Sequence, residues 1–350
     1  MKRLLLFFLV LILMFSFSAC SDEQNKNGTT KGITESENKQ SEATNTFAED
    51  GTLAIKDVIE INDELKVHFI DVGQADSILI QEANGNNMLI DAGNNSDSDF
   101  VVNYIKEQGI DSLDYIIGTH PHEDHIGGLY AVINTFNVGK IIMPKVSNNT
   151  KTFEDVLMAV KNKNLKVTSP VSGQTYELGN ATFKILGPNC DVYDSLNNYS
   201  IVIYLEFGET SFVFTGDAET ESENEMIKND YDLKADVLKA GHHGSTTSSS
   251  AAFIKAIAPK YSVISVGKDN SYGHPDSIIL NRLKTMNVKV LRTDESGTIV
   301  FTSDGTNLTY VTDKNIIGNS AESGGMAEIW NNDGDPGELY DNKGNLVSSK

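Results

Sequence analysis

Three of the chain's seven histidines lie within six residues of one another, in the segment THPHEDHIGG (residues 119–128). His120 and His122 alternate, so in extended backbone both side chains point to the same side. Asp124 and His125 follow at the turn into a predicted helix, where they can face a second, neighbouring point. Imidazole and carboxylate groups in this combination are typical ligands of Zn²⁺ or a similar divalent ion. The segment therefore predicts a metal site, in which Asp124 is also a candidate catalytic residue.

A pair of metal ions needs further ligands from distant strands. The segment FVFTGDA places Asp217 at the end of an apolar strand, and VLKAGHHGS places His242 and His243 in the same way. Loops that follow strands are where sites tend to be built. The spacing leaves open which of the two histidines is the ligand. Two ions about 3.5–4 Å apart would share one water that ionises near neutral pH.

The segments that must position these residues alternate between strand and helix patterns. Short β-rich runs closed by turn residues predict strands at ELKVHFIDVG, DSILIQEA, NNMLIDAG, LDYIIGT, KIIMP, ATFKILGP, YSIVIYLEFGETSFVFTGD, ADVLK and YSVISVG. Helical spacing predicts helices at SDFVVNYIKEQGI, GGLYAVINTF, TFEDVLMAVKNKNL, AETESENEMIKND, AAFIKAIAP and IILNRLKTMN. The segment KVLRTDESGTIVFTSDG predicts a closing pair of strands. Two similar halves in this order predict an α/β fold, a four-layer αββα sandwich.

Both ends of the chain differ from this body. Residues 1–19 have a basic start and an apolar run, which predicts a lipoprotein signal peptide, and FSAC resembles a bacterial lipobox ending at Cys20. Residues 20–60 are polar and predict a disordered tether. We expect the hydrolase-like body at 61–312 and a small β-rich or disordered tail at 313–350. A lipidated Cys20 would hold the protein on the outer face of the cell membrane.

Charge and cysteine content exclude two classes of protein. The net charge of −21 argues against a broad basic surface that grips nucleic acid, although metal ions could supply positive charge locally. Cys190 is the one cysteine besides Cys20, so an internal disulfide framework is excluded. No stable protein partner is implied.

Longer motifs resemble a known family. The chain is similar to the metallo-β-lactamase-fold superfamily, and in particular to the soluble extracytoplasmic domain of ComEC-type competence proteins. The resemblance runs in order over about residues 65–312, through FIDVGQADSILI, MLIDAG, THPHEDHIGGL, NNYSIVIYLEFGETSFVFTGDAE, ADVLKAGHHGST and YSVISVGKDNSYGHP. The same domain type also resembles the phosphorylcholine esterase of some Gram-positive cell surfaces.

The resemblance implies a ligand set for two divalent ions. His120 and His122 would hold one ion, Asp124 and His125 the other, and Asp217 would bridge them, with His242 or His243 completing the second. Many members carry one more histidine before the bridging Asp, but this chain has none from 126 to 241. Asn198, in LNNYS, is one candidate for the weaker third ligand; binding by both His242 and His243 is the other. Zn²⁺ is expected from the ligand types, and Mn²⁺ is the alternative if oxygen atoms make up more of the ligands.

Other residues are candidates for supporting roles. The resemblance implies that Asp91, in LIDAG, orients the histidine loop by hydrogen bonds. Asp76, in DVGQADS, has either a structural role or a place in the wall of the site. Asn198 and Ser245 are candidate substrate-binding residues. His274, in SYGHP, could bind a phosphate or donate a proton to a leaving oxygen.

The expected function is that of a surface-anchored hydrolase with two metal ions. We expect a phosphodiesterase that acts on DNA or on a phosphodiester-bearing cell-wall polymer. One alternative is an amide, ester or lactam hydrolase of the same fold, against which the missing histidine argues. A second alternative is a non-catalytic DNA-binding accessory of competence, which would need a basic groove.

Overall fold

The computed structural model describes residues 64–314 and the backbone of two short strands beyond them. Those two strands, Glu338–Tyr340 and Leu346–Ser349, pair with each other in antiparallel orientation. The predicted signal peptide, Cys20, the tether and most of the predicted tail lie outside the described residues. Within the described part, no helix has the length and apolar character needed to cross a bilayer.

Two mixed β-sheets form the centre of the fold. The eight strands of the first sheet are β1 Leu65–Phe69, β2 Ser77–Glu82, β3 Asn87–Ala92, β4 Ser112–Ile117, β5 Asn137–Ile142, β6 Val167–Thr168, β14 Ile299–Ser303 and β15 Leu308–Thr312. The seven of the second are β7 Thr175–Leu178, β8 Ala181–Gly187, β9 Val202–Phe207, β10 Thr210–Phe214, β11 Val237–Lys239, β12 Tyr261–Ile264 and β13 Lys289–Arg292. The strand order is β15-β14-β1-β2-β3-β4-β5-β6 in the first sheet and β13-β12-β11-β10-β9-β8-β7 in the second.

Helices cover the outer face of each sheet. They are α1 Ser98–Glu107, α2 Glu123–Ile126, α3 Leu129–Thr135, α4 Lys151–Asn162, α5 Thr220–Lys228, α6 Ala251–Ile257, α7 Ser277–Thr285 and α8 Thr293–Ser296. One buried apolar cluster lies between the sheets, and one lies beneath the helices on each side. The central strands β3 and β10 are buried along their whole length because both of their faces are covered. These layers confirm the predicted αββα sandwich.

The predicted closing pair of strands is wrong in its pairing. β13 extends the second sheet in parallel with β12, whereas β14 returns to the first sheet and pairs with β1. The residue pattern that predicts a strand is local, whereas the neighbour with which the strand pairs is determined by packing across the molecule. β14 then pairs with β15, which the sequence did not predict.

Candidate metal centre

The predicted ligands come together at one edge of the two sheets. Asp91 lies near the end of β3, the histidine segment follows β4, Asp217 follows β10, and the histidine pair follows β11. The carboxyl ends of parallel strands meet at the same edge, so loops far apart in sequence converge there.

A first group of ligand atoms surrounds one oxygen of Asp217. His120 Nε2 lies 3.0 Å from His122 Nδ1 and 3.9 Å from Asp217 Oδ2. On the other side, His242 Nε2 lies 3.6 Å from the same oxygen. His120 and His242 therefore bring imidazole nitrogens to Asp217 Oδ2, and His122 contacts His120.

A second group surrounds the other oxygen of Asp217. His125 Nε2 lies 3.2 Å from Asp217 Oδ1, and His243 Nε2 lies 3.2 Å from Asp124 Oδ2. The ligand atoms of these four residues all lie within 4.8 Å of one another. His125 Nε2 and Asp217 Oδ1 are buried and have no hydrogen-bond partner. Two orphaned polar atoms that face each other indicate a place for a bound cation.

Distance and charge both fit a divalent ion. Tetrahedral ligands at Zn–N and Zn–O distances of 2.0–2.1 Å are separated by about 3.3 Å, close to the spacings within each group. Burial favours the neutral form of Asp217, but His125 and His243 outweigh it and hold the pKa of that carboxyl well below its usual range. Burial would lower the pKa of His125, yet Asp217 and Asp124 raise it well above its ordinary value. The carboxylates thus require positive charge, which a metal ion would supply.

The nitrogens that turn away from the centre are fixed by hydrogen bonds. His125 Nδ1 donates to Asp91 Oδ2 over 2.8 Å, and His243 Nδ1 donates to the carbonyl of Ser265 over 2.9 Å. Asp91 also accepts from Thr119 N and Oγ1 at 2.8 and 2.7 Å. These contacts leave both Nε2 atoms free for a metal, because the other nitrogen of each ring carries the proton.

The histidine pair reaches both groups because of its backbone. His242 and His243 have φ values of 51° and 53°, in the left-handed region that non-glycine residues rarely adopt. Two successive residues in this conformation turn neighbouring side chains toward two different points. Strained backbone of this kind costs energy and clusters at functional sites.

Comparison with known proteins agrees with this geometry. The model of the metallo-beta-lactamase superfamily matches residues 70–268. The chain belongs to this superfamily. Two metal ions are a property of the family, and the His/Asp cluster of this member supports a metal-dependent hydrolase.

Curated relatives in the superfamily confirm the resemblance to competence proteins. The chain is 32% identical to ComE operon protein 3 of Bacillus subtilis over 258 residues, 69% of this chain and 33% of the relative. It is 31% identical to Competence protein ComA of Neisseria gonorrhoeae over 240 residues, 68% and 32% of the two chains. Recombination protein 2 of Haemophilus influenzae is 30% identical over 239 residues, 67% and 28%. The chain thus spans about a third of the length of these relatives.

A solved structure with a similar fold is the metallo-beta-lactamase fold protein YhfI from Bacillus subtilis. It aligns with 71% of this chain and 100% of its own, at a TM-score of 0.47 and 13% identity.

Asn198 makes hydrogen bonds with two residues that follow Asp217. Its Nδ2 donates to Glu221 Oε2 at 2.9 Å, and its Oδ1 accepts from Glu219 N at 3.0 Å. Both polar atoms of Asn198 are engaged with Glu219 and Glu221, which favours the other expected arrangement, in which both His242 and His243 bind.

The remaining predicted residues lie at the rim. Ser245 is buried, and its Oγ contacts Thr247 Oγ1 at 3.2 Å and accepts from Thr247 N, so its role in substrate binding stays a prediction. His274 is half-buried, with its ring centroid 5.8 Å from that of His242 and 5.8 Å from that of Tyr272. The His274 Nδ1 atom is buried without a partner. His274 therefore lies beside the exposed ring of Tyr272, and one of its ring nitrogens, the buried Nδ1, is without a partner.

Two further residues, Asp76 and Lys239, lie behind the centre. Asp76, for which the sequence left a structural role or the site wall open, lies beneath His125 and His243. Lys239, fully buried, contacts Asp76. A lysine at the end of an otherwise apolar strand was the available signal, because lysine is almost never fully buried without a partner.

Proposed function

We propose that this protein is a metal-dependent phosphodiesterase, held on the outer face of the cell membrane by a lipidated Cys20. The observation that carries the enzymatic part is the Asp217 carboxylate, which turns one oxygen to each of the two ligand groups. Two bound divalent ions would supply Lewis acidity to a water and to the oxygens of a phosphodiester.

The ligand types favour Zn²⁺ in both positions. With His242 rather than Asn198 in the first group, that group offers three imidazole nitrogens and one carboxylate oxygen. The second offers two of each kind, from His125, His243, Asp124 and Asp217. Imidazole suits Zn²⁺, whereas sites rich in oxygen suit Mn²⁺, so the argument for Mn²⁺ becomes weaker.

His274 supports the reaction from the rim as a hydrogen-bond donor. Burial, followed by the nearby His242, lowers the pKa of His274, so its ring is neutral at pH 7. A neutral ring donates a hydrogen bond to a phosphoryl or leaving oxygen but is a poor source of a full proton. Asn270 holds this residue in place, since Asn270 Oδ1 accepts from His274 N and Asn270 Nδ2 donates to the His274 carbonyl.

The proposed substrate is DNA, with a phosphodiester-bearing cell-wall polymer as the second candidate. The names of the relatives, which refer to competence and recombination, favour DNA. The strongly acidic chain favours a short or single-stranded segment over long duplex DNA, because an acidic surface repels the phosphate backbone.

The test is hydrolysis of bis-p-nitrophenyl phosphate and of a single-stranded oligonucleotide. Protein stripped of metal is given Zn²⁺ or Mn²⁺ in turn, beside the variants Asp124→Ala and His122→Ala and the exposed control Asp111→Ala. We expect metal to restore turnover in the parent and the control, and both ligand variants to lose at least about 100-fold in kcat/KM. If folded protein that binds two ions turns over neither substrate, the phosphodiesterase proposal fails. Lactam, ester and DNA-binding assays would then separate the alternatives.

A further inference from the structure

Lys239 is the last residue of β11 and lies directly before the GHHG segment. Its side chain is fully buried. Its Nζ atom lies 2.9 Å from Asp76 Oδ2 and donates to the Ala240 carbonyl at 2.8 Å. A buried charge is costly unless it is paired and hydrogen-bonded, and the contacts with Asp76 and Ala240 meet both conditions.

The ammonium group contacts a cluster that resembles a metal site. Asp76, Asp91 and His125 each offer one ligand atom, these atoms lie within 4.8 Å of one another, and all three residues are buried. Asp76 Oδ1 is also buried without a hydrogen-bond partner. The two carboxylates and the unsatisfied oxygen of Asp76 suit a cation, and the proton on His125 Nδ1 is already donated to Asp91.

This cluster contacts the metal centre from behind. Asp76 Oδ1 lies 3.5 Å from His243 Nδ1, and Asp76 Oδ2 lies 3.9 Å from His125 Nδ1. Asp76 also donates its backbone N–H to the Asp124 carbonyl at 3.0 Å. Three residues of the second ligand group thus contact Asp76, two of them through its carboxylate and Asp124 through its backbone N–H.

We propose that Lys239 is a covalently attached cation that fills a third cation site beneath the two metal sites. The chain supplies this charge itself, so the centre takes up two exchangeable ions and not three. By holding Asp76, Lys239 acts as a positioning residue for His125 and His243. The inference goes beyond the proposed function, because it concerns a site that neither metal nor substrate occupies.

The test compares Lys239→Ala with the double variant Lys239→Ala/Asp76→Asn. The single variant leaves an unpaired buried carboxylate beside a space, and we expect its Tm without added metal to fall by about 10 °C. Titration with Mn²⁺ should recover most of this loss, and equilibrium dialysis should show one Mn²⁺ more per chain than in the parent. The double variant removes the carboxylate charge, so it should bind the same number of ions as the parent.

Each remaining outcome overturns the inference. It fails if the single variant binds no additional Mn²⁺, or if the double variant gains the ion as well. It also fails if the single variant stays unfolded at every Mn²⁺ concentration while the double variant folds, because a free cation then cannot replace the ammonium group. Failure of the proposed function has a different signature, the absence of bound metal or turnover in the parent, and leaves the comparison of the two variants intact.

Discussion

At the scale of single residues, the centre depends on groups that contact no metal. Each candidate histidine ligand of the second group has its outward nitrogen bound to an oxygen acceptor, Asp91 for His125 and Ser265 for His243. The acceptor selects the tautomer and the orientation of the ring, which together determine the affinity for an ion.

Asp91→Asn tests this dependence. An amide oxygen still accepts one hydrogen bond, but it lacks the charge that supports His125, and its amide group cannot accept from Thr119 as the carboxylate does. We expect Zn²⁺ affinity to fall by about 10–100-fold, measured by titration against a chromophoric chelator. Asp97→Asn is the matched control, because Asp97 is a nearby carboxylate that caps Asn94 N. Equal affinities in parent and Asp91→Asn would contradict the orienting role.

Tyr272 distinguishes the two proposed substrates. Its ring is 72% exposed and stacks on His274 with an angle of 23° between the ring planes. An exposed aromatic face beside the centre suits a nucleobase, and stacking contributes about 1–3 kcal/mol per base. We expect Tyr272→Ala to raise KM for a thymidine dinucleotide about tenfold with little change in kcat, whereas Tyr272→Phe stays near the parent. An unchanged KM in Tyr272→Ala would favour the cell-wall polymer.

His68 makes stability depend on pH. Burial, followed by the nearby Lys66, lowers the pKa of His68 from 6.5 to about 4, and its Nδ1 contacts Tyr104 Oη at 2.9 Å. The unfolded chain therefore binds a proton below pH 6.5 that the folded chain excludes until about pH 4. Stability should fall across this window by about 3 kcal/mol and stay constant above pH 7 as far as this residue contributes.

The measurement for His68 is urea unfolding at pH 7.5 and pH 5.0 in the parent and in His68→Gln, both without metal. Gln does not titrate, so we expect the variant to lose less free energy of unfolding between the two pH values. The same loss in both proteins would show that the parent's pH dependence arises elsewhere.

At the scale of elements, the ends of buried strands could be predicted and their partners could not. Hydrophobic runs closed by turn residues placed β3, β4, β10 and β11 and hence Asp91, the histidine segment, Asp217 and the histidine pair. These signals are local. The return of β14 to β1 joins residues more than two hundred positions apart and depends on burial across the whole molecule.

The same limit applies to the centre itself. The sequence grouped His120 with His122 and Asp124 with His125, which is how the structure arranges them. The sequence could not show that His242 and His243 belong to different ligand groups, because that arrangement depends on the left-handed backbone of both residues. It also could not predict the contact of Ser265 with His243, or the partner of Lys239, since both contacts form only in the packed fold.

Helix α2 packs closely against the turn that follows β3. A Cβ on Gly127 would lie 2.2 Å from the carbonyl carbon of Asn94 and 2.3 Å from Asn95 N. Both neighbours are backbone, so Gly127→Ala must displace α2, which carries Asp124 and His125. We expect a loss of about 3 kcal/mol in the free energy of unfolding, together with weaker metal binding.

Gly109→Ala is the control for this substitution. Gly109 has a φ of +75° but no atom within 4 Å of an added Cβ, so only left-handed strain of about 1 kcal/mol is expected. Urea unfolding and Zn²⁺ titration measure both effects. A Gly127→Ala protein as stable as Gly109→Ala would mean that α2 is not held against this turn.

At the scale of the whole molecule, the proposed lipid at Cys20 determines where the enzyme acts. We expect Cys20→Ser to move the protein from the membrane fraction to the soluble fraction and to abolish labelling by a fatty acid. The kcat should not change, because the metal centre lies in the body that begins after the tether. A variant that stays with the membrane and keeps the label would contradict lipidation at this residue.

The direction of β1 has a consequence for where the described chain begins. This strand enters the body at Leu65, opposite Ser303 and Glu82, and ends at Phe69, before the loop that carries Asp76. A strand of five residues spans about 16 Å, so the chain enters one full strand length from the edge where the ligands converge. The described chain therefore begins at the end of the first sheet that lies opposite to the metal centre.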